Sequence, residues 1–217
     1  MDCLQPHSNL QEICIHRYKG VKLCNWLSSD FLGCLNTKSL DGCERLQHLP
    51  RLDQFPHLRH LYLRDLPNIK YIGNDDSVPS STFFPSFEEL RFPCLSVLDI
   101  RGCPIHILMS WHAPLTSLII GDLIKGRLRI NGDEFDVVPW KNFENLSSLV
   151  LLDMCNLEYL PEFLLHFATL QSLSLQFCRN LKCLPQWIGN LTSLTKFEIA
   201  ICEKLTLLPK RFATSMV

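Results

Sequence analysis

The sequence lacks an excess of charge of either sign. Its 21 Lys and Arg residues stand against 22 Asp and Glu residues, which gives a formal net charge of -1 at pH 7. A chain with this balance has no overall positive field with which to attract nucleic acid or an anionic membrane. We therefore expect no nucleic-acid partner, and any partner has to be selected by a local part of the surface.

Long hydrophobic runs and paired cysteine motifs are also missing. No stretch approaches the roughly 18 uninterrupted apolar residues of a membrane-spanning helix, and the N-terminal residues do not form a basic and then apolar signal segment. The 11 cysteines include no C-x-x-C pair. An odd cysteine count in a large apolar chain fits a reduced intracellular protein better than a disulfide scaffold. The sequence thus predicts a cytoplasmic protein without a membrane span.

Motifs that carry catalysis are absent as well. There is no G-x-S-x-G, no H-E-x-x-H and no recognisable set of paired carboxylates. Gly121 and Gly126 have the spacing of a phosphate-binding loop, but Arg127 and Leu128 stand where that loop needs Lys followed by Ser or Thr. His57 and His60 have no further ligand at a spacing suited to metal. We therefore expect no enzyme, no metal and no cofactor.

Leucine is the residue that the sequence has in abundance, at 40 of 217 positions. Many of the leucines recur in the pattern L-x-x-L-x-L-x-x-C/N-x-L, which is typical of a repeat protein. Three consecutive copies begin at Leu146, Leu170 and Leu194 with a constant offset of 24 residues. Earlier copies, some of them partial, begin at Leu10, Leu35, Leu58, Leu95 and Leu115, for about eight coils in all.

Each copy of the pattern predicts a short strand whose alternate side chains point inward, followed by a turn and a return segment. One coil cannot bury its own leucines, whereas stacked coils build a continuous parallel sheet and a linear core. The Pro that follows several copies favours an irregular return side. The expected fold is an α/β repeat solenoid, a leucine-rich-repeat horseshoe with a parallel concave sheet and a mostly irregular convex side. We expect it to form a single domain over residues 1–217.

Two parts of the chain depart from the regular spacing, near 73–86 and near 124–142. The first is a cluster of Ser, Pro and Asp that predicts a surface loop, and the segment 87–92 after it indicates a coil that is truncated or absorbed into its neighbour. In the second, Asn131-Gly132 is equally typical of a small hairpin and of an irregular loop.

Two residue types interrupt the apolar pattern within the coils. Lys38 occupies a position that is apolar in the other copies. Cysteines recur where Asn or Cys bonds the turn backbone, so we expect buried structural thiols rather than nucleophiles. These cysteines are Cys43, Cys103, Cys178 and Cys202.

The residues between the inward leucines are expected on the exposed concave face of the sheet. Tyr62, Arg64 and Arg101 are of the types that anchor protein interfaces, so we expect contact with an acidic protein surface there. Scattered surface charges without a partner are the alternative interpretation. The full set of candidate partner-binding residues is His16, Arg17, His60, Tyr62, Arg64, Asp99, Arg101, Ser172, Ser174, Gln176, Lys196 and Glu198.

Three segments of the repeat resemble a known family. They are LDGCERLQHLP at 40–50, LQFCRNLKCLP at 175–185 and LPQWIGNLTSL at 184–194. Their Cys and Leu-Pro pattern resembles the C-terminal leucine-rich-repeat region of plant nucleotide-binding leucine-rich-repeat disease resistance proteins, most closely the coiled-coil class. Extracellular plant repeats carry Asn and a Gly-x-Ile-Pro turn instead. The resemblance extends over nearly the whole chain and is closest over 146–209.

This resemblance implies a non-catalytic recognition module in plant defence. It would sense a pathogen effector or a guarded host protein and restrain a neighbouring nucleotide-binding domain. The 217 residues contain no phosphate-loop motif, so nucleotide binding itself is not implied for them. Because coils fill residues 10 to 209, we expect a fragment without capping coils. The alternatives are an extracellular receptor ectodomain, glycosylated at Asn145 or Asn190, and a substrate-recognition adaptor of a ubiquitin ligase.

Overall fold

The main element of the fold is a parallel sheet of eight strands. The computed structural model describes residues 6–24, 27, 32–72, 90–104, 111–121 and 140–207. In their spatial order, the strands are β1 (Glu12–His16), β2 (Thr37–Asp41), β4 (His60–Arg64), β7 (Val97–Arg101), β9 (Ser117–Gly121), β10 (Ser148–Leu152), β11 (Ser172–Gln176) and β12 (Lys196–Ala200). The spatial order follows the chain, so each coil adds its strand beside the strand of the previous coil.

The opposite, convex side is built from short and irregular elements. Two small parallel pairs lie there, β3 (His48–Leu49) with β5 (Tyr71–Ile72) and β6 (Leu90–Arg91) with β8 (Trp111–His112). The helices in the described part of the chain are of the 3-10 type, at Trp140–Phe143, Glu162–His166 and Gln186–Asn190. The predicted leucine-rich-repeat solenoid, with its parallel sheet and mostly irregular convex side, is thus confirmed.

The core is a continuous column of inward side chains. In β4, Leu61 and Leu63 are fully buried while the residues on either side of them are half-buried. The parallel register places each inward residue beside its equivalent in the next coil, as Leu149 pairs with Leu173. Burial of one such leucine contributes about 1.5–3 kcal/mol, so the stacked column supplies the stability that no single coil has.

Lys38 lies inside this column, at the position where its neighbours in the sheet are Ile13 and Leu61. Its side chain is fully buried. The ammonium nitrogen Nζ lies 3.3 Å from the carbonyl oxygen of Leu27 and 4.6 Å from the ring centroid of Phe55. Removal of the charge from water lowers the pKa of Lys38 to about 7.

Cysteine thiols join the turns of successive coils. The Sγ–H group of Cys178 donates to the carbonyl oxygens of Leu151 at 3.6 Å and Gln176 at 3.7 Å. Cys43, Cys103 and Cys202 make the equivalent pairs of contacts in their own coils. Burial raises the pKa of Cys103 and of Cys178 to about 12. The thiols of Cys103 and Cys178 therefore stay protonated, which suits a structural donor and not a nucleophile. Cys202 differs from the expectation of a buried thiol, because it lies in the last described coil and is only half-buried.

The irregular parts of the sequence lie mostly outside the described residues. This holds for the whole of 73–86, for 124–139 and thus for Asn131-Gly132 and Gly126. Of the strand-like segment 87–92, residues 90–91 form β6, which pairs with β8 and not with the eight-stranded sheet. Leu90 and Phe92 are buried, and the Phe92 ring centroid lies 4.9 Å from that of Trp111.

Candidate protein-binding face

The outward side chains of the eight strands form three rows across the sheet, which together we call the concave face. The first row holds Glu12, Thr37, His60, Val97, Ser117, Ser148, Ser172 and Lys196; the middle row Cys14, Ser39, Tyr62, Asp99, Ile119, Val150, Ser174 and Glu198; the third row His16, Asp41, Arg64, Arg101, Gly121, Leu152, Gln176 and Ala200. Adjacent strands are about 4.8 Å apart, so neighbours within a row are in contact range.

The structure places the predicted candidate residues on this face with three differences. Arg17 follows β1 directly and has a left-handed backbone, with φ of 52°. Asp99 and Ser174 lie in the middle row but are only 0% and 4% exposed, which differs from the expectation that they present themselves to a partner. The physical reason is cover by longer neighbours: two arginines bind Asp99, and the amide of Gln176 donates to Ser174 Oγ at 2.9 Å.

The most strongly organised part of the concave face is a group of four residues, which we call the arginine cluster: Tyr62, Arg64, Asp99 and Arg101. Arg64 Nε donates to Asp99 Oδ2 at 3.0 Å, and Arg64 Nη2 binds the same oxygen. Arg101 makes a fork, with Nε to Oδ1 and Nη2 to Oδ2 both at 2.6 Å. The Arg64 guanidinium also lies 5.2 Å from the Tyr62 ring centroid. Such forked, charge-assisted bonds fix both position and orientation.

The arginine cluster follows from strand alternation and register. Asp99 and Arg101 are two residues apart in β7 and share a face, and Arg101 is the direct register partner of Arg64. The two guanidiniums and the one carboxylate leave one net positive charge. Both arginine side chains are about one third exposed, at 35% and 32%, whereas the carboxylate is fully covered. The cluster can thus offer N–H groups to an anionic group in solution, but it offers no carboxylate.

Gly121 borders the arginine cluster and packs closely against its neighbours. A Cβ atom there would lie 2.8 Å from the Leu152 carbonyl oxygen and 3.3 Å from Arg101 Cγ. No side chain fits, so Leu152 and the stem of Arg101 close over the glycine backbone. On the other side of the arginine cluster, Asp41 is the register partner of Arg64, and its Oδ2 atom lies 3.8 Å from His16 Nδ1.

A polar groove of about 610 Å³ opens where the first strands end. Besides Arg17 and Asp41 it is lined by Lys19, Gly42, Glu44, Asp65 and Pro67. None of these five further residues belongs to the candidate set derived from the sequence. The Asp-Gly pair at 41–42, a turn signal directly after a strand, could have indicated the groove. Its mixed charges favour no single class of ligand.

A row of left-handed residues runs along the edge where the strands end. The residues that directly follow the strands have φ between 49° and 63° at Arg17, Gly42, Asp65, Gly102, Asp153, Phe177 and Ile201. Glycine adopts this conformation freely, while a β-branched residue there is a rare outlier. Phe177 and Ile201 are also 36% and 52% exposed. The C-terminal end of the edge therefore holds two exposed apolar residues in this conformation, whereas at the N-terminal end Gly42 and Gly102 alternate with the polar residues Arg17 and Asp65.

In the part of the chain that the structure describes, no group of three or more His, Cys, Asp or Glu side chains is placed to hold a metal ion. The same residues include no helix with the length and apolarity that crossing a membrane requires.

Comparison with known proteins agrees with the repeat pattern. Residues 1–66 match a family described as R13L1/DRL21 LRRs. Disease resistance protein RGA2 of Solanum bulbocastanum is 27% identical over 187 residues, 74% of this chain and 18% of the relative. Putative disease resistance protein RGA1 of the same species is 27% identical over 71% of this chain and 16% of its own length. Putative disease resistance RPP13-like protein 1 of Arabidopsis thaliana is 30% identical over 45% of this chain and 10% of the relative.

These alignments set the scope of what the chain shares with its relatives. It spans less than one fifth of the length of each of them. The matched N-terminal segment contains β1, β2 and β4, so the similarity includes part of the concave face. The resemblance predicted from the sequence is thereby confirmed: this chain is a leucine-rich-repeat solenoid similar to plant disease resistance proteins.

Proposed function

We propose that this chain is a non-catalytic recognition module in plant defence whose concave face binds another protein. The partner is a pathogen effector or a host protein that the receptor guards. Within a full-length receptor, the same module would restrain a neighbouring nucleotide-binding domain. The observation that carries the proposal is the arginine cluster, because it exposes two fixed arginines on a rigid sheet. Arginine and tyrosine side chains of this kind dominate the binding energy of protein interfaces.

Rigidity of the sheet supports a binding role. Eight strands in one register hold the outward rows at fixed spacing, so little conformational entropy is lost when a partner docks. Affinity in such interfaces comes from a few anchors and not from total area. The net charge of the arginine cluster favours an acidic partner surface.

The proposed location is the cytoplasm. None of the ten cysteines in the described residues is joined in a disulfide, neither the exposed ones, such as Cys14 and Cys34, nor the buried ones. This number of cysteines without a disulfide is typical of a reducing compartment. Attachment of glycan at Asn145 or Asn190 in plant tissue would contradict this location.

The test is proximity labelling in leaf cells, with the chain fused to a biotin-transferring enzyme. A blocked variant carries Val150→Arg and Ser172→Arg on the concave face. A matched control carries Gln186→Arg and Asn190→Arg, which add the same charge at exposed convex positions. We expect at least one protein to be labelled by the wild type and the control but not by the blocked variant. A pathogen effector would be labelled in inoculated leaves only, and a host protein in both inoculated and mock-treated leaves.

Two results would contradict the proposal. One is a set of labelled proteins that is the same for all three chains. The other is a loss of labelling with the control alone, because that would place recognition on the convex side. Circular dichroism of the purified variants shows that each is folded before labelling is compared.

A further inference from the structure

We propose that Asp99 is a positioning residue which aligns Arg64 and Arg101 so that their outward N–H groups bind a carboxylate of an acidic partner segment. This inference rests on the proposed function, since it names the chemistry of the partner at the same face. Asp99 itself does not touch the partner, because it is fully buried beneath the two arginines.

Two like charges side by side need a counter-charge. Arg64 and Arg101 are direct register neighbours on adjacent parallel strands, an arrangement that is unfavourable for two cations. Asp99 stands one row away, and its two oxygens accept bonds from both guanidiniums. Without this carboxylate the arginines would repel each other and turn apart. Asp99 therefore determines where the positive charge of the concave face is held.

The bonds to Asp99 use only part of each guanidinium. Arg64 and Arg101 each donate the Nε hydrogen and one Nη2 hydrogen to the carboxylate of Asp99. The Nη1 hydrogens and the second Nη2 hydrogen remain for a ligand, and both side chains are about one third exposed. The 5.2 Å contact with the Tyr62 ring limits the orientation of Arg64 further. Two pre-oriented forks thus face the solvent together.

The charge of the arginine cluster selects the ligand. One net positive charge is neutralised by one carboxylate, which also matches the planar fork of a guanidinium. A phosphate group carries about -1.5 to -2 charges, which is more than the one net positive charge of the arginine cluster neutralises. The geometry therefore favours an Asp or Glu side chain of an extended acidic segment over a phosphorylated residue.

Substitution of Asp99 separates positioning from simple attraction by the sign of its effect. Asp99→Asn raises the local positive charge by one. If charge alone governed binding, an acidic peptide would bind this variant more tightly than the wild type. If Asp99 positions the arginines, the same variant binds the peptide more weakly. The two accounts thus predict opposite changes.

The experiment is a fluorescence anisotropy titration of the purified 217-residue chain. The probe is a fluorescein-labelled peptide of alternating Glu and Gly, and the control peptide has Gln in place of Glu. We expect the Glu peptide to bind at least about tenfold more tightly than the Gln peptide, and Asp99→Asn to weaken its binding by about tenfold. Acetate should displace the probe at lower concentration than inorganic phosphate.

A second variant keeps the inference testable if Asp99→Asn does not fold. Arg101→Lys preserves the charge but loses the planar fork, and we expect it to weaken binding of the Glu peptide by about tenfold. Arg179→Lys, an exposed arginine elsewhere on the molecule, is the matched control and should not change the affinity. In the wild type, the Nε–H NMR signals of Arg64 and Arg101 should shift on addition of the Glu peptide, which a purely structural role would not produce.

Several results would overturn the inference. These are equal or tighter binding by Asp99→Asn, unchanged binding by Arg101→Lys, no preference for Glu over Gln, and displacement by phosphate ahead of acetate. If any of these results occurs while the blocked variant still fails to label the partner in leaves, this inference fails and the proposed function stands. If instead the peptide results hold and labelling does not depend on the concave face, the proposed function fails by itself.

Discussion

The two halves of the concave face share one backbone but differ in chemistry. From β1 to β7 the outward rows carry ionic groups, with Asp99 held between Arg64 and Arg101. From β9 to β12 the outward rows are mostly apolar or small, as at Ile119, Val150 and the aligned serines. Both halves bury the same inward aliphatic positions in the same register. The fold therefore depends on the inward residues, so the outward residues that would contact a partner can differ from strand to strand.

The largest effect should come from an inward leucine and be the same in both halves. Leu61→Ala and Leu173→Ala each remove a fully buried side chain and leave a cavity between stacked coils. We expect each change to lower the free energy of unfolding by about 2–5 kcal/mol in urea denaturation. Leu165→Ala, at a position that is 42% exposed, is the control and should cost much less. A large difference between Leu61 and Leu173 would mean that the two halves are not built alike.

Lys38 is the main exception to this common core, and its replacement should stabilise the N-terminal half. Lys38→Met keeps the volume of the side chain and removes the buried amine. The pKa of Lys38 is lowered to about 7 from 10.5, so the unfolded chain binds more protons than the folded one between these values. Below pH 7 the free-energy cost of burying the charged amine of Lys38 is constant, and this cost disappears as the pH rises toward 10.5.

The measurement is the free energy of unfolding of both proteins as a function of pH. We expect Lys38→Met to be more stable by on the order of 4–5 kcal/mol at pH 7, with a difference that narrows steadily toward pH 10. Lys204→Met, at an exposed lysine, should show no such trend. A stability difference at Lys38 that does not depend on pH would contradict the buried-amine explanation.

The backbone of this fold could be predicted from the sequence because its cause is local and repeated. An inward leucine recurs at a fixed offset, so Leu149 and Leu173 predict both their strands and their pairing. Burial of Lys38 follows from the same pattern. Its contact with the Leu27 carbonyl does not, because that contact joins two segments of the chain whose approach no periodicity specifies.

The candidate site could be predicted only in part. Alternation assigns Asp99 to the concave face, but it cannot tell that two long side chains from different coils cover this carboxylate. Alternation also places Ser174 on this face without indicating that Gln176, two residues further along the same strand, covers it. Glycine at positions 42 and 102 indicates a left-handed turn, whereas Phe177 and Ile201 are residue types that do not indicate that conformation. Side-chain cover and backbone strain depend on neighbours, not on spacing.

The thiol contacts should contribute equally to both halves, with a smaller effect than the leucines. Cys103→Ala and Cys178→Ala each remove a donor that serves two carbonyl oxygens in neighbouring turns. We expect each to cost about 1–1.5 kcal/mol in thermal or urea unfolding, the net contribution of one hydrogen bond, because the carbonyl oxygens of Arg101 and Gln176 still accept bonds from backbone N–H groups. Cys155→Ala, at an exposed cysteine, should change stability by less than about 0.5 kcal/mol. Equal costs for all three would show that the contacts to the turns contribute nothing.

The smallest effect should come from the left-handed edge, where Ile201 and Gly42 hold the same conformation with different backbone strain. Ile201 holds φ at 56° although it is β-branched and 52% exposed, while Gly42 holds φ at 63° without strain. Ile201→Gly should therefore raise the free energy of unfolding by about 0.5–1 kcal/mol, the relief of strain less the entropy that glycine adds to the unfolded chain. The reciprocal change Gly42→Ala should lower it by about 1 kcal/mol, since its Cβ would also lie 3.2 Å from Arg17 Cγ. If urea denaturation shows that Ile201→Gly destabilises the protein, packing of the isoleucine outweighs its strain, and the contrast between the two ends of this edge lies in contacts and not in backbone conformation.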